Sequence, residues 1–429
     1  MLSEDFFSSV CGAPIAANTA ISKDVGIYCH ALTPSYAVKS TFKKSATPTN
    51  CLAISNSHVF AAQNEKSQVH VYSRARGNHE VTVTFAERIK SLRLIGDILA
   101  VGTVDGSLIL WETCTGRQVT TPPCHVQPVS CLASTPQHVL TGSEDSNIHV
   151  WTLSRLLELN ATTELEPDRT LSNHRAAITA LAVAQSLNAE TSICVSASKD
   201  KTCIIWNYQT GEALRTLLFP SAPLCIALDP CSRALCVSCE DGSLYLVELF
   251  GEKALIGQHS GEMSSTVVQV TSPLGVADPD GGPATCMGLS HDATTVLTGH
   301  TKGKILQWQL TDSGHPTELA DLNAAVTNIV FAPLMQEAAP TKTITVVKPN
   351  LAERQYTFTA QLETDLGEDS RFDGMLDNEG FADDVLEKAA LAFTEPVAET
   401  GISAEAQKQI DELMAIIEEQ KALTTLQKR

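Results

Sequence analysis

Two cysteines three residues apart form the one spacing in this sequence that could bind a metal or exchange a disulfide. Cys236 and Cys239 lie inside a single strand-like run, and no second pair accompanies them. A structural zinc site needs four ligands, usually two such pairs. We therefore expect two buried thiols with no metal and no cofactor. The chain has 13 cysteines, mostly in apolar runs, which is typical of a protein in a reducing compartment.

No catalytic constellation is visible in the rest of the chain. The sequence has no phosphate-binding glycine loop, no nucleophile elbow and no HExxH motif, and its 12 histidines are dispersed. It also has no run of 18 apolar residues, the length that a membrane-spanning helix needs. These absences predict a protein that is neither an enzyme nor embedded in a membrane.

A basic cluster near the N-terminus could bind an anionic partner. Between residues 39 and 93 nine basic residues stand against three acidic ones, a local charge of +6 in a chain of net charge −19. If they gather on one rim, they could contact RNA or an acidic protein face; ordinary surface charge is the alternative. The nine are Lys39, Lys43, Lys44, Lys66, Arg74, Arg76, Arg88, Lys90 and Arg93.

These residues are positioned by a repeat that occupies most of the chain. Four segments share one pattern, an apolar strand, a polar turn and a second strand that ends in tryptophan: LAVGTVDGSLILW, VLTGSEDSNIHVW, CVSASKDKTCIIW and VLTGHTKGKILQW. All four tryptophans of the chain fall at this one position. Two more copies place Tyr72 and Val247 there, and successive positions are 39 to 61 residues apart. The pattern is typical of the four-stranded blades of a β-propeller.

The repeated polar residues have structural roles in this interpretation. An aspartate six residues before the aromatic position supports the tight turn, and the tryptophan fills the space between sheets and donates its indole N–H. His174, with a serine at position 196 or 198, completes the most regular copy. The predicted structural positions are Asp105, Trp111, Asp145, Trp151, His174, Asp200, Trp206, Asp241 and Trp308.

Six copies leave a seventh blade to assemble from the chain ends. Residues 326–331 read as its innermost strand, and 343–347 and 355–361 as two more strands. A strand at 25–30 would complete the blade, which closes the ring and removes exposed sheet edges. Two insertions, 152–173 with a short amphipathic helical turn and 260–283 as a long surface loop, could carry recognition.

The fold class that follows is all-β: a seven-bladed WD-repeat β-propeller with a C-terminal acidic linker and α-helix. We assign residues 1–23 to an N-terminal extension, 24–361 to the propeller, 362–402 to the linker and 403–429 to the helix. The linker is strongly acidic and resists collapse. The helix is too short to be stable alone and should form a short coiled coil, with itself or with another subunit. Its apolar stripe is Ile410, Leu413, Ile416, Ile417, Leu423 and Leu426.

The match to a known family extends beyond the generic repeat. The stretch TFKKSATPTNCLAISNSHVFAAQNEKSQVHVYSRARGN at 41–78, ERIKSL at 87–92, WETCTGRQV at 111–119 and SEDSNIHVWTLSRLLEL at 143–159 resemble the WD-repeat subunit of the Rix–Ipi pre-rRNA-processing complex. The short N-terminus and the C-terminal helix are similar as well. None of the tryptophans is followed by aspartate, which is a departure from the repeat's usual ending.

That resemblance implies a non-catalytic scaffold in the nucleus, in nucleolus and nucleoplasm. Its implied partners are the large helical scaffold subunit of the complex, the pre-60S ribosomal particle and an AAA remodelling ATPase. The implied role is support for removal of the second internal transcribed spacer, with a homodimer formed through the C-terminal helix. The alternative is a generic WD-repeat adaptor for another nuclear complex, such as one at replication origins or chromatin.

Overall fold

The computed structural model describes residues 4–15, 25–158, 165–185, 192–250, 255–256, 267–311, 315–333 and 346–349. In this part of the chain 29 strands form seven sheets, each a blade of the propeller. The predicted linker at 362–402 and the predicted helix at 403–429, with its stripe Ile410 to Leu426, lie outside the described residues. No helix in the described part is long and apolar enough to cross a membrane.

The first three blades follow one another along the chain. Blade 1 contains β4 (Leu52–Ile54), β5 (His58–Ala62), β6 (Gln68–Ser73) and β7 (His79–Thr84). Blade 2 contains β8 (Ile89–Ile95), β9 (Ile98–Thr103), β10 (Leu108–Glu112) and β11 (Gln118–Thr120). Blade 3 contains β12 (Val129–Ser134), β13 (His138–Ser143), β14 (Ile148–Thr152) and β15 (Arg169–Leu171), with the short helix α1 (Leu153–Leu156) before β15.

The remaining blades complete the ring. Blade 4 contains β16 (Ile178–Val183), β17 (Ile193–Ser198), β18 (Thr202–Asn207) and β19 (Glu212–Leu218). Blade 5 contains β20 (Pro223–Leu228), β21 (Ala234–Cys239), β22 (Ser243–Glu248) and β24 (Gly275–Val276). Blade 6 contains β25 (Ala284–Leu289), β26 (Thr295–His300), β27 (Lys304–Gln309) and β28 (Thr317–Asp321). Blade 7 contains β29 (Val326–Phe331), β1 (Asp5–Val10), β2 (Val25–Ala31) and β3 (Ala37–Lys43).

The seven-bladed propeller predicted from the repeat is confirmed. The first strands of neighbouring blades contact one another in the closed order β4, β8, β12, β16, β20, β25, β29 and again β4. Consecutive strands within a blade are antiparallel, so the loops alternate between two faces. We call the upper face the one that carries the turn between second and third strands and the link to the next blade. The other loops form the lower face.

The apolar core lies between the blades rather than within any one of them. Each buried cluster combines side chains from neighbouring sheets. Trp111 of blade 2, for example, packs edge-on against Phe60 of blade 1 and against Phe85, both with ring centroids 6.1 Å away. Edge-to-face packing of this kind adds to the stabilisation that comes from burial.

A ring of side-chain hydrogen bonds joins all seven blades around the central channel. At each junction a hydroxyl or thiol at the start of one inner strand donates to a main-chain carbonyl of the next blade or, at Thr47, of the link that leads into it. The pairs are Cys51–Lys90 (3.3 Å), Ser91–Val129 (2.8 Å), Ser130–Ile178 (2.7 Å), Thr179–Pro223 (2.8 Å), Cys225–Ala284 (3.7 Å), Thr285–Val326 and Thr327–Thr47 (2.6 Å). These bonds link the inner strand of each blade to the main chain that follows around the ring.

The composition of blade 7 corrects the sequence prediction. In the described residues the C-terminal part supplies β29 and the N-terminal part supplies three strands, so residues 5–10 belong to the propeller and not to an extension. The serines of β1 concealed this strand because they look like surface residues. Ser8 and Ser9 are fully buried, and they bond His30 (2.8 Å) and Thr327 (2.9 Å).

The two C-terminal strands predicted for blade 7 are not supported where the structure describes them. Residues 346–347 have no regular secondary structure, and residues 343–345 and 355–361 lie outside the described part. The predicted loop at 260–283 also needs correction. It contains β23 (Val267–Gln269), which pairs parallel to β19 of blade 4, then β24 and a 3-10 turn at Pro279–Gly281. Five residues of this segment therefore pair with the main chain at blade edges.

Candidate functional site

The turn aspartates are placed alike in four blades. Each accepts a hydrogen bond from the main-chain N–H two residues further on, which closes the hairpin between second and third strands. The donors are Ser107 to Asp105 (3.4 Å), Asn147 to Asp145 (2.9 Å), Thr202 to Asp200 (3.0 Å) and Ser243 to Asp241 (3.0 Å). The residue between acceptor and donor has positive φ in every case. These carboxylates are thus engaged by their own turns.

Blade 4 carries a four-residue hydrogen-bonded chain. His174 Nδ1 lies 3.1 Å from Asp200, and its Nε2 lies 2.7 Å from Ser196 Oγ. Ser196 Oγ accepts the indole N–H of Trp206 at 2.8 Å. Of the two candidate serines in the sequence, Ser196 is therefore the member; Ser198 bonds the carbonyl of Ala176 instead.

Blade 3 repeats this chain with different side chains. His125 bonds Asp145 (3.1 Å) and Thr141 (2.8 Å), and Trp151 donates to Thr141 (3.2 Å). Burial lowers the pKa of His125 to about 4. For Asp145 burial opposes ionisation, but hydrogen bonds from the Asn147 N–H and from His125 outweigh it and lower the pKa. This hydrogen-bonded chain joins a neutral imidazole to a carboxylate. The ring nitrogens of His125 and the carboxylate oxygens of Asp145 all have partners within the fold.

Blade 6 contains a variant that sequence reasoning missed. Trp308 donates to Thr298 (2.9 Å), as in blades 3 and 4, but the histidine that follows is His300, at the end of the same strand as Thr298. Its Nδ1 bonds the carbonyl of Gly282 at 2.8 Å. Burial lowers the pKa of His300. The signal was the histidine in VLTGH, where VLTGS of blade 3 has serine.

In blade 2 the acceptor for the tryptophan indole N–H comes from a distant segment of the chain. A hydroxyl stands ten residues before the tryptophan in blades 3, 4 and 6, whereas Val101 stands there in blade 2. The indole N–H of Trp111 donates to the carbonyl of Val347 instead, at 3.1 Å. The N–H of Val347 donates in turn to the carbonyl of Thr113 at 2.8 Å. Residues 346–349, which we call the strap, are held against blade 2 in this way.

The cysteine pair of β21 does not form a site. Cys236 packs between blades 5 and 6 and Cys239 between blades 4 and 5, on opposite faces of the strand. Burial raises the pKa of both thiols to about 12. Neutral thiols on opposite sides of a sheet neither share a metal nor pair as a disulfide. The described residues contain no group of three or more histidine, cysteine or acidic side chains that could hold a metal ion.

The predicted basic cluster is divided between the two faces. Lys43, Lys44, Lys66 and Arg88 lie in upper-face loops or at their edges, whereas Lys39, Arg74 and Arg76 lie toward the lower face. Lys90 and Arg93 lie in β8 and line the central channel. A single basic rim is therefore wrong, because consecutive antiparallel strands send neighbouring turns to opposite faces.

Several of these basic side chains already have partners within the propeller. The ion pairs are Lys39–Asp5 (2.6 Å), Arg88–Glu65 (3.2 Å) and Lys90–Glu144 (3.4 Å). Arg74 donates to the carbonyl of Ser55 (2.8 Å) and lies 5.3 Å above the ring centroid of Phe7, so it has a packing role. The three ion pairs lie at the surface, and exposed ion pairs contribute little to the free energy of unfolding. Lys43, Lys44, Lys66 and Arg76 are exposed, and the ion pairs above do not involve them, so they are the more available charges on the surface.

The central channel is a concave site that brings charged groups from several blades together. Its volume is about 420 Å³, and its walls combine polar side chains near the upper mouth with apolar ones such as Leu132, Leu181 and Met287. Three cations line it, Lys90, Arg93 and Lys199, together with one carboxylate, Glu144. A site of this size and mixed lining can accept a small ligand or a short peptide segment.

Comparison with known proteins agrees with the observed architecture. The family model described as "WD domain, G-beta repeat" matches residues 116–152 and 165–207, which cover parts of blades 2, 3 and 4. A pre-rRNA-processing protein, crb3/ipi3 of Schizosaccharomyces pombe, is 24% identical over 66% of this chain and 69% of its own length. The pre-rRNA-processing protein IPI3 of Yarrowia lipolytica is 28% identical over 59% of this chain and 60% of its own length. The chain is a WD-repeat propeller related to the Ipi3 pre-rRNA-processing proteins.

A solved structure adds support for the fold alone. The structure of U3-55K aligns over 65% of this chain and 83% of its own with a TM-score of 0.51 and 18% sequence identity. The alignments cover 69% of the length of the Schizosaccharomyces pombe protein and 60% of the length of the Yarrowia lipolytica protein. The family resemblance seen in the sequence is therefore confirmed, and the fold agrees with it.

Proposed function

We propose that this protein is a non-catalytic scaffold subunit of a nuclear complex that processes pre-rRNA during assembly of the large ribosomal subunit. The observation that carries the proposal is the alignment of about two thirds of the chain with a protein named for pre-rRNA processing. A role as a binding platform is supported by the histidine–aspartate pairs of blades 3 and 4, because both pairs are hydrogen-bonded within structural networks that end in tryptophan.

The proposal has finer parts. The propeller holds the large helical scaffold subunit and docks it on pre-60S particles in nucleolus and nucleoplasm. It supports removal of the second internal transcribed spacer and engagement of an AAA remodelling ATPase. The segment 403–429, predicted from its sequence to be helical, doubles the copy number by forming a homodimer.

Native purification of the tagged full-length protein tests the central claim. We expect sucrose-gradient fractions that contain the protein also to contain precursor rRNA with the second internal transcribed spacer. Depletion of the protein should make that precursor accumulate, and re-expression of the unchanged chain should reverse the accumulation. A light peak without precursor rRNA at low salt, together with unchanged precursor levels after depletion, would contradict the proposal.

The surface charges require a test that keeps the two faces apart. Lys43→Gln with Lys44→Gln neutralises exposed charges on the upper face, and Arg76→Gln neutralises one on the lower face. Arg74 is left unchanged because it supports packing on Phe7. If upper-face cations contact rRNA, only the double variant should make association with the pre-ribosome more sensitive to salt. Equal effects of both would indicate general electrostatics.

Self-association through the terminal helix has its own test. Ending the chain after residue 400 should lower the oligomeric mass measured by light scattering. The full-length variant Leu413→Asp, which places a charge in the predicted apolar stripe, should lower it equally. An unchanged mass in both would contradict the homodimer.

A further inference from the structure

Two cationic side chains that line the central channel without a carboxylate partner among the described residues, Arg93 and Lys199, point to a ligand. Arg93 projects from β8 into the channel and donates to Ser134 Oγ at 3.3 Å. In the described part of the chain, no carboxylate lies within ion-pair distance of Arg93 or of Lys199. Arg93 is exposed to solvent within the channel, and desolvation by the surrounding protein lowers its pKa. A cation in such surroundings gains more from a bound anion than a cation on the open surface does.

The arrangement of the charges indicates an elongated ligand. Lys90 and Arg93 are three residues apart on one inner strand, which separates them by roughly 10 Å along the channel axis. Lys199 lies in the upper-face turn of blade 4 and lines the same channel. The apolar side chains Leu132, Leu181 and Met287 form part of the wall. A ligand that meets all of these has carboxylates spaced along an extended, partly apolar chain.

The carboxylate of Glu144 favours a peptide ligand over a continuous polyanion such as nucleic acid. It lies in the upper-face turn of blade 3, pairs with Lys90 at 3.4 Å and lines the channel. A continuous phosphate backbone would be repelled there, and the net charge of −19 gives nucleic acid no general attraction. A few carboxylates match the small local excess of positive charge better.

We propose that the central channel binds an acidic peptide segment of a partner protein, with Arg93 and Lys199 receiving its carboxylates and Lys90 joining them when it leaves Glu144. The inference extends the scaffold role and does not depend on it, because it rests on the channel lining and not on the relatives. Its test with purified protein is therefore separate from the pre-ribosome experiments.

The test is a titration of the full-length protein into a fluorescein-labelled peptide that contains four glutamates, followed by fluorescence anisotropy at low salt. Arg93→Gln should weaken binding about tenfold, since it removes a charge-assisted hydrogen bond in confined surroundings. Lys199→Gln at the mouth should weaken it several-fold. Glu144→Gln should tighten binding, because it frees Lys90 and removes the competing carboxylate. Tryptophan fluorescence and circular dichroism confirm that each variant is folded.

Lys302→Gln is the matched control. Lys302 is an exposed upper-face lysine in the turn of blade 6, outside the channel lining. Its replacement should leave affinity unchanged within about twofold. The proposal is overturned if the peptide does not bind, if Lys302→Gln weakens binding as much as Arg93→Gln, or if Glu144→Gln has no effect. A labelled uridine decamer that binds more tightly and depends equally on Arg93 would assign the channel to RNA instead.

Discussion

The indole N–H of Trp111 donates to the main-chain carbonyl of Val347, a residue 236 positions further along the chain. In blades 3, 4 and 6 the corresponding indole bonds a hydroxyl ten residues upstream. Blade 2 has Val101 there, so its buried indole needs an acceptor from elsewhere. The strap supplies that acceptor, and the N–H of Val347 in turn donates to the carbonyl of Thr113.

Val101→Thr should loosen the strap. The new hydroxyl would compete for the Trp111 indole, and the strap would lose a hydrogen bond of about 1 kcal/mol. We expect hydrogen exchange of the Val347 amide to accelerate by about fivefold to tenfold. Val237→Thr is the control, because Val237 is equally buried ten residues before Val247 and has no indole to bond. Equal acceleration in both variants would contradict the assignment.

Gly106 and Gly77 allow backbone strain to be separated from steric clash. Both have positive φ, +89° and +66°, which costs an alanine about 1 kcal/mol. A Cβ at Gly106 would lie 2.1 Å from the carbonyl oxygen of His125, whereas one at Gly77 meets nothing within 4 Å. Urea unfolding should therefore show Gly106→Ala to be less stable than Gly77→Ala by roughly 2 kcal/mol or more. Similar free energies of unfolding would contradict this packing.

The hydrogen-bond ring around the channel can be tested at one junction. Ser91 is fully buried and donates to the carbonyl of Val129 in the next blade. Ser91→Ala should lower the free energy of unfolding by about 1 to 3 kcal/mol, since it leaves a buried carbonyl short of a donor. Ser91→Cys should recover part of that loss, because Cys51 and Cys225 occupy the same place in blades 1 and 5. A cysteine variant no better than alanine would argue against the ring.

His30 should make stability depend on pH between about 6.5 and 4. Burial lowers the pKa of His30 to about 4, while Ser8 and Tyr36 bond its ring. An unfolded histidine has a pKa of about 6.5, so below that value the unfolded state takes up a proton that the folded state refuses. Stability is therefore lost as pH falls, by about 2 kcal/mol between pH 7 and pH 5 for this residue.

His30→Gln isolates this contribution. The other buried histidines, such as His125, add losses of the same sign, so both proteins should become less stable on acidification. The unchanged protein should lose about 2 kcal/mol more than the variant when urea unfolding is compared at pH 7 and pH 5. Parallel losses in the two proteins would mean that His30 is protonated in the folded state.

The sequence by itself determined the repeating unit. Tryptophan at the end of the third strand and the turn aspartate recur because one hairpin holds them, so local geometry appears as fixed spacing. That spacing is sufficient to predict six blades and the structural positions from Asp105 to Trp308, and the need to close the ring predicts the seventh blade.

Only the tertiary structure decided which chain end closes the ring, which face each charge occupies and what fills the gap at Val101. β29 pairs with β1 across more than 300 residues, and such pairing leaves no trace in local periodicity. The basic residues 39 to 93 are neighbours in sequence, yet alternating strand direction separates them onto two faces and a channel. Lys90, Arg93, Glu144 and Lys199 meet there because the blades form a circle, and closure of that circle is a property of the whole chain.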